Sequence, residues 1–546
     1  MNPNHIFDWS LPYHTQRTPV FARNAVATSQ PLAAQAGLRM LQQGGNAIDA
    51  AIAAAAAITI TEPVSNGLGS DLFAIVWDGH TLQGLNASGT APAAWDVAYF
   101  ERKYGKTTQA TKPLRGWDTV TIPGMVAGWM ALHERYGSIP LDVLLQPAVE
   151  LAERGYAVSP NVQYKWAGQV PVLQDQPGFA QAFMPHGRAP EVGELFSMPD
   201  AARTLRLIAE TKGRAFYEGQ VAEQLIAHAH AHGGALSLND LRQYQPEWVM
   251  PIAQAYRGYT LHEIPPNGQG IAALLALGIL QHFDLSQYAP DSVESQHLQI
   301  EAMKLAFEDV YHYVAAPSAM TVTPAQLLDP SYLAERAKLI RLDQAQNHRP
   351  GLPPQGGTIY LTTADEQGRM VSLIQSNYMG FGSGVVVPGT GVSLQNRGHA
   401  FSFDPASPNV VAPGKRPFHT IIPAFLTKDG APVMSFGVMG ANMQPQGHVQ
   451  TLVRMLDYGQ NPQAACDAPR WKVNCGVWQQ GSPHALLELE NTMSPALAQA
   501  LQARGHQVVD VVDPYMDFGS GQFIWKTAAG YIAASDSRRD GQAVGF

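Results

Sequence analysis

The sequence predicts an α+β protein, with a helix-rich first part and a strand-rich last part. Over about the first 330 of its 546 residues, apolar side chains recur at the spacing of a helix face, as at Leu205, Ile208 and Ala209. The stretch NHRPGLPPQGG, residues 347–357, then has the composition of a linker. Short β-like segments follow it, and such a change from helices to strands is typical of the α+β class.

The helical part can be divided into segments. PLAAQAGLRMLQQ predicts a helix from Pro31 to Gln43 that stops at Gly44 and Gly45, and the alanine-rich run after it predicts a second, core helix. Further helical spacing occurs over residues 140–156, 201–232 and 292–314.

The strand-rich part begins with a predicted hairpin, TIYLTTA and RMVSLIQS around the turn DEQG. If Ala364 pairs with Arg369, Thr358 stands opposite Gln375 and beside Ser376. Opposed side chains in a sheet have Cβ atoms about 4.5 to 5.5 Å apart, so the Thr358 and Ser376 hydroxyls can form a hydrogen bond. Further strands are expected at IIPAFLT, VMSFGV and FIWKTAAGYIAAS.

Composition excludes several classes of function. The 35 basic and 44 acidic residues include no basic block that could follow a phosphate backbone, so nucleic acid is not an expected partner. The apolar run at 50–58 is far shorter than the roughly 20 residues that cross a bilayer, so no membrane partner is expected. The start of the chain does not resemble a secretory signal, which predicts the cytoplasm. Cys466 and Cys475 are too few for a disulfide framework or a paired thiolate metal site.

Thr358 is the first candidate catalytic residue. It follows two glycines and the linker-like stretch, which is where an N-terminal nucleophile would be released. Scission of the Gly357–Thr358 bond would place a hydroxyl and a free α-amine on one residue. An α-amine has a pKa near 7.7 to 8.0, so it can act as general base toward that hydroxyl. The alternative is a purely structural threonine, which is common at the start of a strand.

Several motifs follow one another along nearly the whole chain: GGNAIDAA, EPVSNGLGSDLF, PGMVAGW, FYEG, GGALSLNDL, PPNGQG, HLQIEAMKLAFED, TIYLTTADEQGRMVSLIQSN, PGKRPFHTIIP and ASDSRRDGQAVGF. Taken in this order, they resemble the motifs of the γ-glutamyltransferase (glutathione hydrolase) family of N-terminal-nucleophile hydrolases. The resemblance implies a four-layer αββα sandwich with a helix-rich periphery. It also implies self-cleavage before Thr358, giving a large chain of residues 1–357 and a small chain of residues 358–546 that share one sandwich.

The same resemblance implies a mechanism without a cofactor or metal. Thr358 would attack first its preceding carbonyl and then a substrate amide to form an acyl-enzyme, with Ser376 as hydroxyl support. SFGVMGANMQPQG resembles the family's glycine-rich loop, which places the oxyanion donors at Gly440 and Ala441. Alanine serves there if its φ stays negative. The alternative is a plain strand-to-helix turn. A dimer of large and small chain pairs is a possible assembly.

The substrate pocket departs from the glutathione-cleaving pattern. Ser88 stands where those enzymes carry an arginine for the glutamyl carboxylate, and Ala400 stands where they carry an aspartate for the amino group. The loss of both charged partners should weaken γ-glutamyl binding.

Arg397 supplies a different charge in the same segment. We hypothesise that it binds a substrate carboxylate, with Asn396, His419 and Thr420 nearby. This favours a small anionic amide such as oxamate, which would give oxalate and ammonia. A structural ion pair is the alternative for Arg397. γ-Glutamyl transfer or glutathione hydrolysis, an acylase, and an unprocessed, catalytically silent protein that binds a metabolite are the other functions considered.

Three further patterns are weaker. The HAHAH run, with His228, His230 and His232, is interpreted as a helix end that complements the dipole rather than as a metal site. The GFGSG run at 380–384 lacks phosphate-loop spacing and is interpreted as a loop near the active site. The acidic pair Glu301 and Asp309 is interpreted as part of a solvated helix face.

Overall fold

A computed structural model of the chain describes residues 16–106, 112–346, 357–474, 485–509, 511 and 518–546. Most of the linker-like stretch, Cys475 and the first residues of the chain lie outside the described residues.

The α-helices of these ranges, in chain order, are α1 (Pro31–Gln42), α2 (Ala47–Thr61), α3 (Val97–Tyr104), α4 (Met125–Tyr136), α5 (Leu141–Arg154), α6 (Pro160–Leu173), α7 (Phe179–Phe183), α8 (Pro199–Thr211), α9 (Arg214–Tyr217), α10 (Gln220–Ala231), α11 (Leu238–Gln243), α12 (Ile271–Leu280), α13 (Val293–Tyr313), α14 (Pro324–Leu327), α15 (Pro330–Ala337), α16 (Met443–Leu452), α17 (Pro462–Asp467) and α18 (Pro495–Ala503).

The strands, in the same order, are β1 (Val20–Ala22), β2 (Ala25–Thr28), β3 (Asp71–Trp77), β4 (Leu82–Ala87), β5 (Tyr156–Ala157), β6 (Leu195–Phe196), β7 (Glu247–Val249), β8 (Ile252–Tyr256), β9 (Tyr259–Glu263), β10 (Gly357–Ala364), β11 (Met370–Tyr378), β12 (Val386–Val387), β13 (Val392–Ser393), β14 (Ala424–Lys428), β15 (Ala431–Met439), β16 (Trp471–Asn474), β17 (Leu486–Leu489), β18 (Gln507–Val509), β19 (Ser520–Thr527), β20 (Gly530–Ser535) and β21 (Gln542–Gly545).

The alanine-rich run forms the core helix α2, as predicted. Asn46 caps it by accepting from the N–H groups of Ile48 and Asp49, and the Asp49 carboxylate accepts from the Asn46 N–H in return. Every residue of α2 is buried. Its small side chains permit α1 to pack closely against it. The two helices are so close that a Cβ added at Gly37 of α1 would come within 2.9 Å of the α2 backbone.

Two seven-stranded antiparallel sheets form the centre of the molecule. The first has the order β21-β2-β10-β11-β3-β4-β7, and the second has the order β1-β20-β19-β15-β14-β9-β8. Each sheet contains strands from before and after residue 357, so the two predicted chains interleave in both sheets.

Three separate apolar clusters divide the molecule into layers. One packs α2, α5 and α8 on the outer face of the first sheet, and another packs α12, α13 and α16 on the outer face of the second. The third lies between the sheets and includes Phe73, Tyr360, Ile374 and Phe425. The predicted αββα sandwich is confirmed. No helix of the described residues combines the length and apolar content needed to cross a membrane.

The strands of the first part were not predicted. The sequence indicated only helices over roughly the first 330 residues, but β3 and β4 from this part are central to the first sheet. Strand β3, DLFAIVW, is covered on both faces and is almost entirely buried. A strand of this kind shows a continuous apolar run instead of alternation, so its period carries no clear strand signal.

The predicted hairpin is present, but its register is displaced by one residue. Ala364 pairs with Met370 rather than with Arg369, and Ile359 rather than Thr358 stands opposite Gln375. The turn is longer because the Asp365 carboxylate accepts from the backbone N–H of Arg369 at 3.1 Å and from its Nε at 2.7 Å, which draws Arg369 into the loop.

The interpretation of Glu301 and Asp309 as a solvated face was wrong. Both side chains are buried, because α13 lies inside the second helical layer. Each acid has a cationic partner: Lys304 Nζ lies 2.6 Å from Glu301 Oε1, and an Arg336 nitrogen lies 2.6 Å from Asp309 Oδ1. Pairing with a cation permits a carboxylate to be buried.

Candidate active site

Thr358 lies in β10, where the chain runs without a break through the Gly357–Thr358 bond. Only 4% of its surface is exposed. Its Oγ1 lies 3.1 Å from Ser376 Oγ, so the predicted hydrogen bond between the two hydroxyls is present. Ser376 Oγ also accepts from the Tyr378 N–H at 2.7 Å, which fixes the serine rotamer beneath the threonine.

Thr358 faces the gap between the two sheets. Alternate residues of a strand share a face, and Thr362 and Tyr360 on this face contact the second sheet. The Thr362 hydroxyl contacts that of Ser435, and the Tyr360 ring abuts Gly437. The pairing of β10 is irregular between Gly357 and Ile359, so alternation alone does not orient Thr358. Its hydroxyl contacts Ser376, which shares a face of β11 with Ile374 of the apolar cluster between the sheets, so Thr358 is directed into this gap, toward the end of β15.

Gly440 and Ala441 follow that end of β15, so the predicted oxyanion loop lies on the side that Thr358 faces. The loop connects β15 to α16. This connection also agrees with the alternative interpretation of the segment as a plain strand-to-helix turn. The φ angles are +125° at Gly440 and +51° at Ala441. The condition that φ stays negative at Ala441 is thus not met, and a left-handed alanine costs about 1 to 2 kcal/mol.

Gln269 holds Ala441 in this conformation. Its Nε2 donates to the carbonyl oxygen of Ala441 at 2.9 Å and to that of Thr420 at 2.7 Å. Gln269 is fully buried. Surrounding contacts of this kind are what maintain a strained backbone at a functional site.

The Arg397 guanidinium lies in the same buried cluster. Its Nη1 donates to Thr420 Oγ1 at 2.9 Å, its Cζ lies 4.0 Å from the centre of the Tyr378 ring, and its Nε is 3.9 Å from Asp71 Oδ2. Burial lowers the Arg397 pKa to about 10, which leaves it charged at neutral pH. Within the described ranges, its Nε and Nη2 have no hydrogen-bond partner. The alternative interpretation, that Arg397 forms a structural ion pair, is therefore supported only by its long contact with Asp71.

Asp71 was not predicted as a site residue. It begins β3 and is the cross-strand partner of Ser376. Its carboxylate accepts from the Gly89 N–H at 3.0 Å and from His419 Nε2 at 3.0 Å. Burial raises the Asp71 pKa to about 7 despite the opposing charge of Arg397. The motif EPVSNGLGSDLF contains this residue, but no local pattern in it indicates the distant partners of Asp71.

His419 is a neutral donor in this cluster. Its Nδ1 accepts from the Ile421 N–H at 3.3 Å, which leaves the proton on Nε2, toward Asp71. Burial, followed by the charges of Arg397 and Arg416, keeps the pKa of His419 well below its usual value.

The side chains of Ser88 and Asn396 form hydrogen bonds with groups other than the Arg397 guanidinium. The Ser88 hydroxyl donates to Asn86 Oδ1 at 2.7 Å. The Asn396 amide donates to the Leu114 carbonyl at 3.0 Å and accepts from the Met379 N–H at 3.2 Å, so it joins two loops. Ala400 ends a short 3₁₀ turn that begins at Arg397.

The GFGSG run directly follows β11 and Met379, so it lies close to the Asn396 side of the site. An Arg115 nitrogen donates to the Gly380 carbonyl at 2.8 Å, and the same nitrogen contacts the Gly382 carbonyl. These contacts fix the loop without forming a phosphate cradle.

Two histidine groups lie apart from these contacts. In the HAHAH run, the His228 and His232 ring centres are 4.2 Å apart, and the His232 N–H and ring Nδ1 both contact the His228 carbonyl as α10 ends. His230 is exposed. Elsewhere, His297, Glu301 and His506 have the atom types and closeness of a metal site. However, Glu301 is already paired with Lys304.

A four-layer αββα sandwich with a threonine at the head of a central strand defines an amidohydrolase of the N-terminal-nucleophile type. Comparison with known proteins gives the family. A family model for gamma-glutamyltranspeptidase matches residues 33–546, and the chain belongs to this family.

Individual relatives cover nearly the whole chain. The chain is 35% identical to the glutathione hydrolase-like YwrD proenzyme of Bacillus subtilis, over 97% of this chain and 100% of the relative. It is 34% identical to the oxamate amidohydrolase proenzyme of Klebsiella pneumoniae subsp. pneumoniae, over 94% and 97%. The solved structure of cephalosporin acylase from Bacillus halodurans matches with a TM-score of 0.92 and 48% identity, over 99% of both chains. The chain is thus an amidohydrolase, and several of its relatives are named as proenzymes.

Proposed function

We propose that the chain cuts itself between Gly357 and Thr358 and then uses Thr358 as nucleophile on a small amide that carries a carboxylate. The freed α-amine of Thr358 acts as general base, and Ser376 supports the hydroxyl through their 3.1 Å contact. The N–H groups of Gly440 and Ala441 stabilise the oxyanion. Water resolves the acyl-enzyme, so oxamate would yield oxalate and ammonia.

The substrate class rests on one observation, the pair of unpartnered nitrogens on the buried Arg397 guanidinium. A buried cationic donor without a partner is costly, and a substrate carboxylate would satisfy it with charge-assisted hydrogen bonds. Thr420 and the Tyr378 ring hold the guanidinium in place. The complete burial of Arg397, Thr420 and His419 favours a small substrate over a long one.

The likeness to cephalosporin acylase supports a second candidate, an acylase that removes a larger acyl group. In that function Arg397 would bind a carboxylate of the acyl group, and the released product would be an amine instead of ammonia. γ-Glutamyl transfer is a weaker candidate, because Ser88 and Ala400 supply neither charge of an amino-acid clamp.

Product analysis distinguishes these functions. Purified protein is incubated with oxamate, glutamine, glutathione and a cephalosporin amide, and ammonia, glutamate and released amine are measured separately. Ammonia from oxamate, with little turnover of the others, is the expected result. Turnover of glutathione or the cephalosporin with oxamate inert would reverse the ranking. A single uncut 59.0 kDa band without any turnover would instead favour a silent binding protein.

A further inference from the structure

The first cut of the chain needs a base that the mature enzyme does not need. Before the Gly357–Thr358 bond breaks, the Thr358 nitrogen belongs to an amide and has no free electron pair for a proton. The α-amine therefore cannot activate the hydroxyl in the step that creates it. The groups that surround Thr358 in the structure are the candidates for that base.

The group next to Thr358 on the sheet is Ser376, and the group next to Ser376 is Asp71. Thr358 Oγ1 lies 3.1 Å from Ser376 Oγ, and Ser376 pairs directly with Asp71 across β11 and β3. Phe73, two residues after Asp71, lies in the apolar cluster between the sheets, so Asp71 is directed to the same gap as Ser376. Opposed side chains have Cβ atoms about 4.5 to 5.5 Å apart, a span that one hydroxyl or one water can bridge.

We propose that Asp71 is the proton acceptor for self-cleavage and receives the Thr358 proton through the Ser376 hydroxyl. This inference rests on the proposed scission before Thr358. It adds a function for a carboxylate that the turnover mechanism, with its α-amine base, does not require.

The step balances without any reactant except water. The Thr358 oxygen bonds to the Gly357 carbonyl carbon while its proton passes to Asp71. The C–N bond then breaks, and Asp71 returns the proton to the departing Thr358 nitrogen, which leaves an ester. One water hydrolyses the ester, giving the Gly357 carboxyl group and restoring the Thr358 hydroxyl, so Asp71 ends as it began.

The surroundings of Asp71 suit a reversible acceptor. His419 donates to one carboxylate oxygen and Gly89 to the other, which fixes the orientation of the group. Arg397 and Arg416 are the cations that face it. Among the residues that the structure describes, the hydroxyls of Tyr217 and Tyr244 also sense its charge.

The pKa of Asp71 sets the expected pH dependence. Burial raises it to about 7. The ionised form, which can accept a proton, therefore predominates above about pH 7. The rate of self-cleavage should rise with pH through that value and then level off.

The test measures precursor cleavage after a short pulse of cell-free synthesis, on denaturing gels, for the full chain and two variants. Asp71→Asn keeps the shape but not the basicity, and we expect a loss of about 100-fold or more in cleavage rate, the usual size of a general-base contribution. Asp365→Asn removes a buried carboxylate at the turn of the same β10–β11 hairpin and is the matched control, which should cut at the normal rate.

Cleavage of Asp71→Asn within about twofold of normal, with the normal pH profile, would overturn the proposal. If that variant fails to fold, Asp71→Glu and the unaltered chain decide the question. Partial cleavage of Asp71→Glu with a shifted pH profile supports it, and a cleavage rate of the unaltered chain that does not vary between about pH 5.5 and 8.5 overturns it. Absence of any cut at Gly357 in the unaltered chain would instead refute the proposed function itself.

Discussion

The side-chain amide of Gln269 donates to the carbonyl oxygen of Ala441 at 2.9 Å and thereby fixes an alanine whose φ is +51°. The same nitrogen donates to Thr420, which accepts from Arg397. One buried glutamine thus connects the proposed carboxylate site to the proposed oxyanion loop.

Replacement of Gln269 by Ala should lower kcat and change KM much less. Without the amide, Ala441 can relax from its left-handed conformation and turn its N–H away from the oxyanion, and the loss of one such donor typically costs about 10² to 10³ in rate. Steady-state kinetics on the best substrate measure the effect. Gln254→Ala is the control, because the Gln254 amide donates to the carbonyl oxygen of its neighbour Ala255. An unchanged kcat in Gln269→Ala would contradict the proposed role of the Gly440–Ala441 loop in stabilising the oxyanion.

Ser376→Ala should slow turnover by about tenfold or less, and self-cleavage by more than that, because the Ser376 hydroxyl also carries the Thr358 proton toward Asp71. The serine contributes one neutral hydrogen bond to Thr358, and such a bond contributes about 0.5 to 1.5 kcal/mol. Ser372→Ala is a matched control on the same face of β11, because Ser372 bonds the Tyr360 hydroxyl instead. If both variants lowered turnover equally, the effect of Ser376 would be one of stability rather than of contact with Thr358.

Arg397→Ala should raise KM for anionic amides about tenfold or more, through loss of a charge-assisted contact. Arg397→Lys should recover part of the affinity, since lysine keeps the charge but not the planar fork. A neutral amide of similar size should bind the three proteins alike. A lower melting temperature with unchanged KM for anionic amides would indicate that Arg397 serves only as the structural partner of Asp71.

Asp536 is expected to stabilise the fold at neutral pH. Despite burial, the charges of Arg538 and Arg470 and two backbone hydrogen bonds lower its pKa from 3.8 to about 2. A carboxyl group whose pKa is lowered in the folded state stabilises the fold fully at pH values above the pKa that it has in the unfolded chain. For Asp536 this contribution is about 2 kcal/mol, and it is lost as the pH falls from about 4 toward 2.

Asp536→Asn should reduce the free energy of unfolding at pH 7 by about 3 to 5 kcal/mol. This exceeds the contribution of the pKa shift alone, because the variant also leaves the buried Arg470 guanidinium without its carboxylate partner. Denaturant titrations measure it. Asp343→Asn, on the exposed Arg341 pair, should change stability little. A small loss in Asp536→Asn, with no convergence toward the unaltered protein at low pH, would contradict this account.

Local sequence signals predicted the elements that are close in the chain. The hairpin placed Thr358 beside Ser376 even though its register was displaced, because both residues lie at the same open end of adjacent strands. The glycines after α1 and the alanine-rich run of α2 predicted this pair of helices. The αββα layering came from family resemblance and not from periodicity.

Contacts between distant segments could not be predicted in this way. Asp71 and Gln269 show no local pattern, and their roles depend on partners brought close by the two sheets. The positive φ of Ala441 depends on the same tertiary contacts. Arg397 was predicted from an unusual charge, but its long contact with Asp71 was not.

The most direct test of the central claim is mass spectrometry of the purified protein together with its activity. Thr358 must become a chain terminus before turnover, so an active sample should contain one chain that ends at Gly357 and another that begins at Thr358. Thr358→Ala should remain a single inactive chain. An intact, uncut polypeptide that turns over substrate would contradict the account.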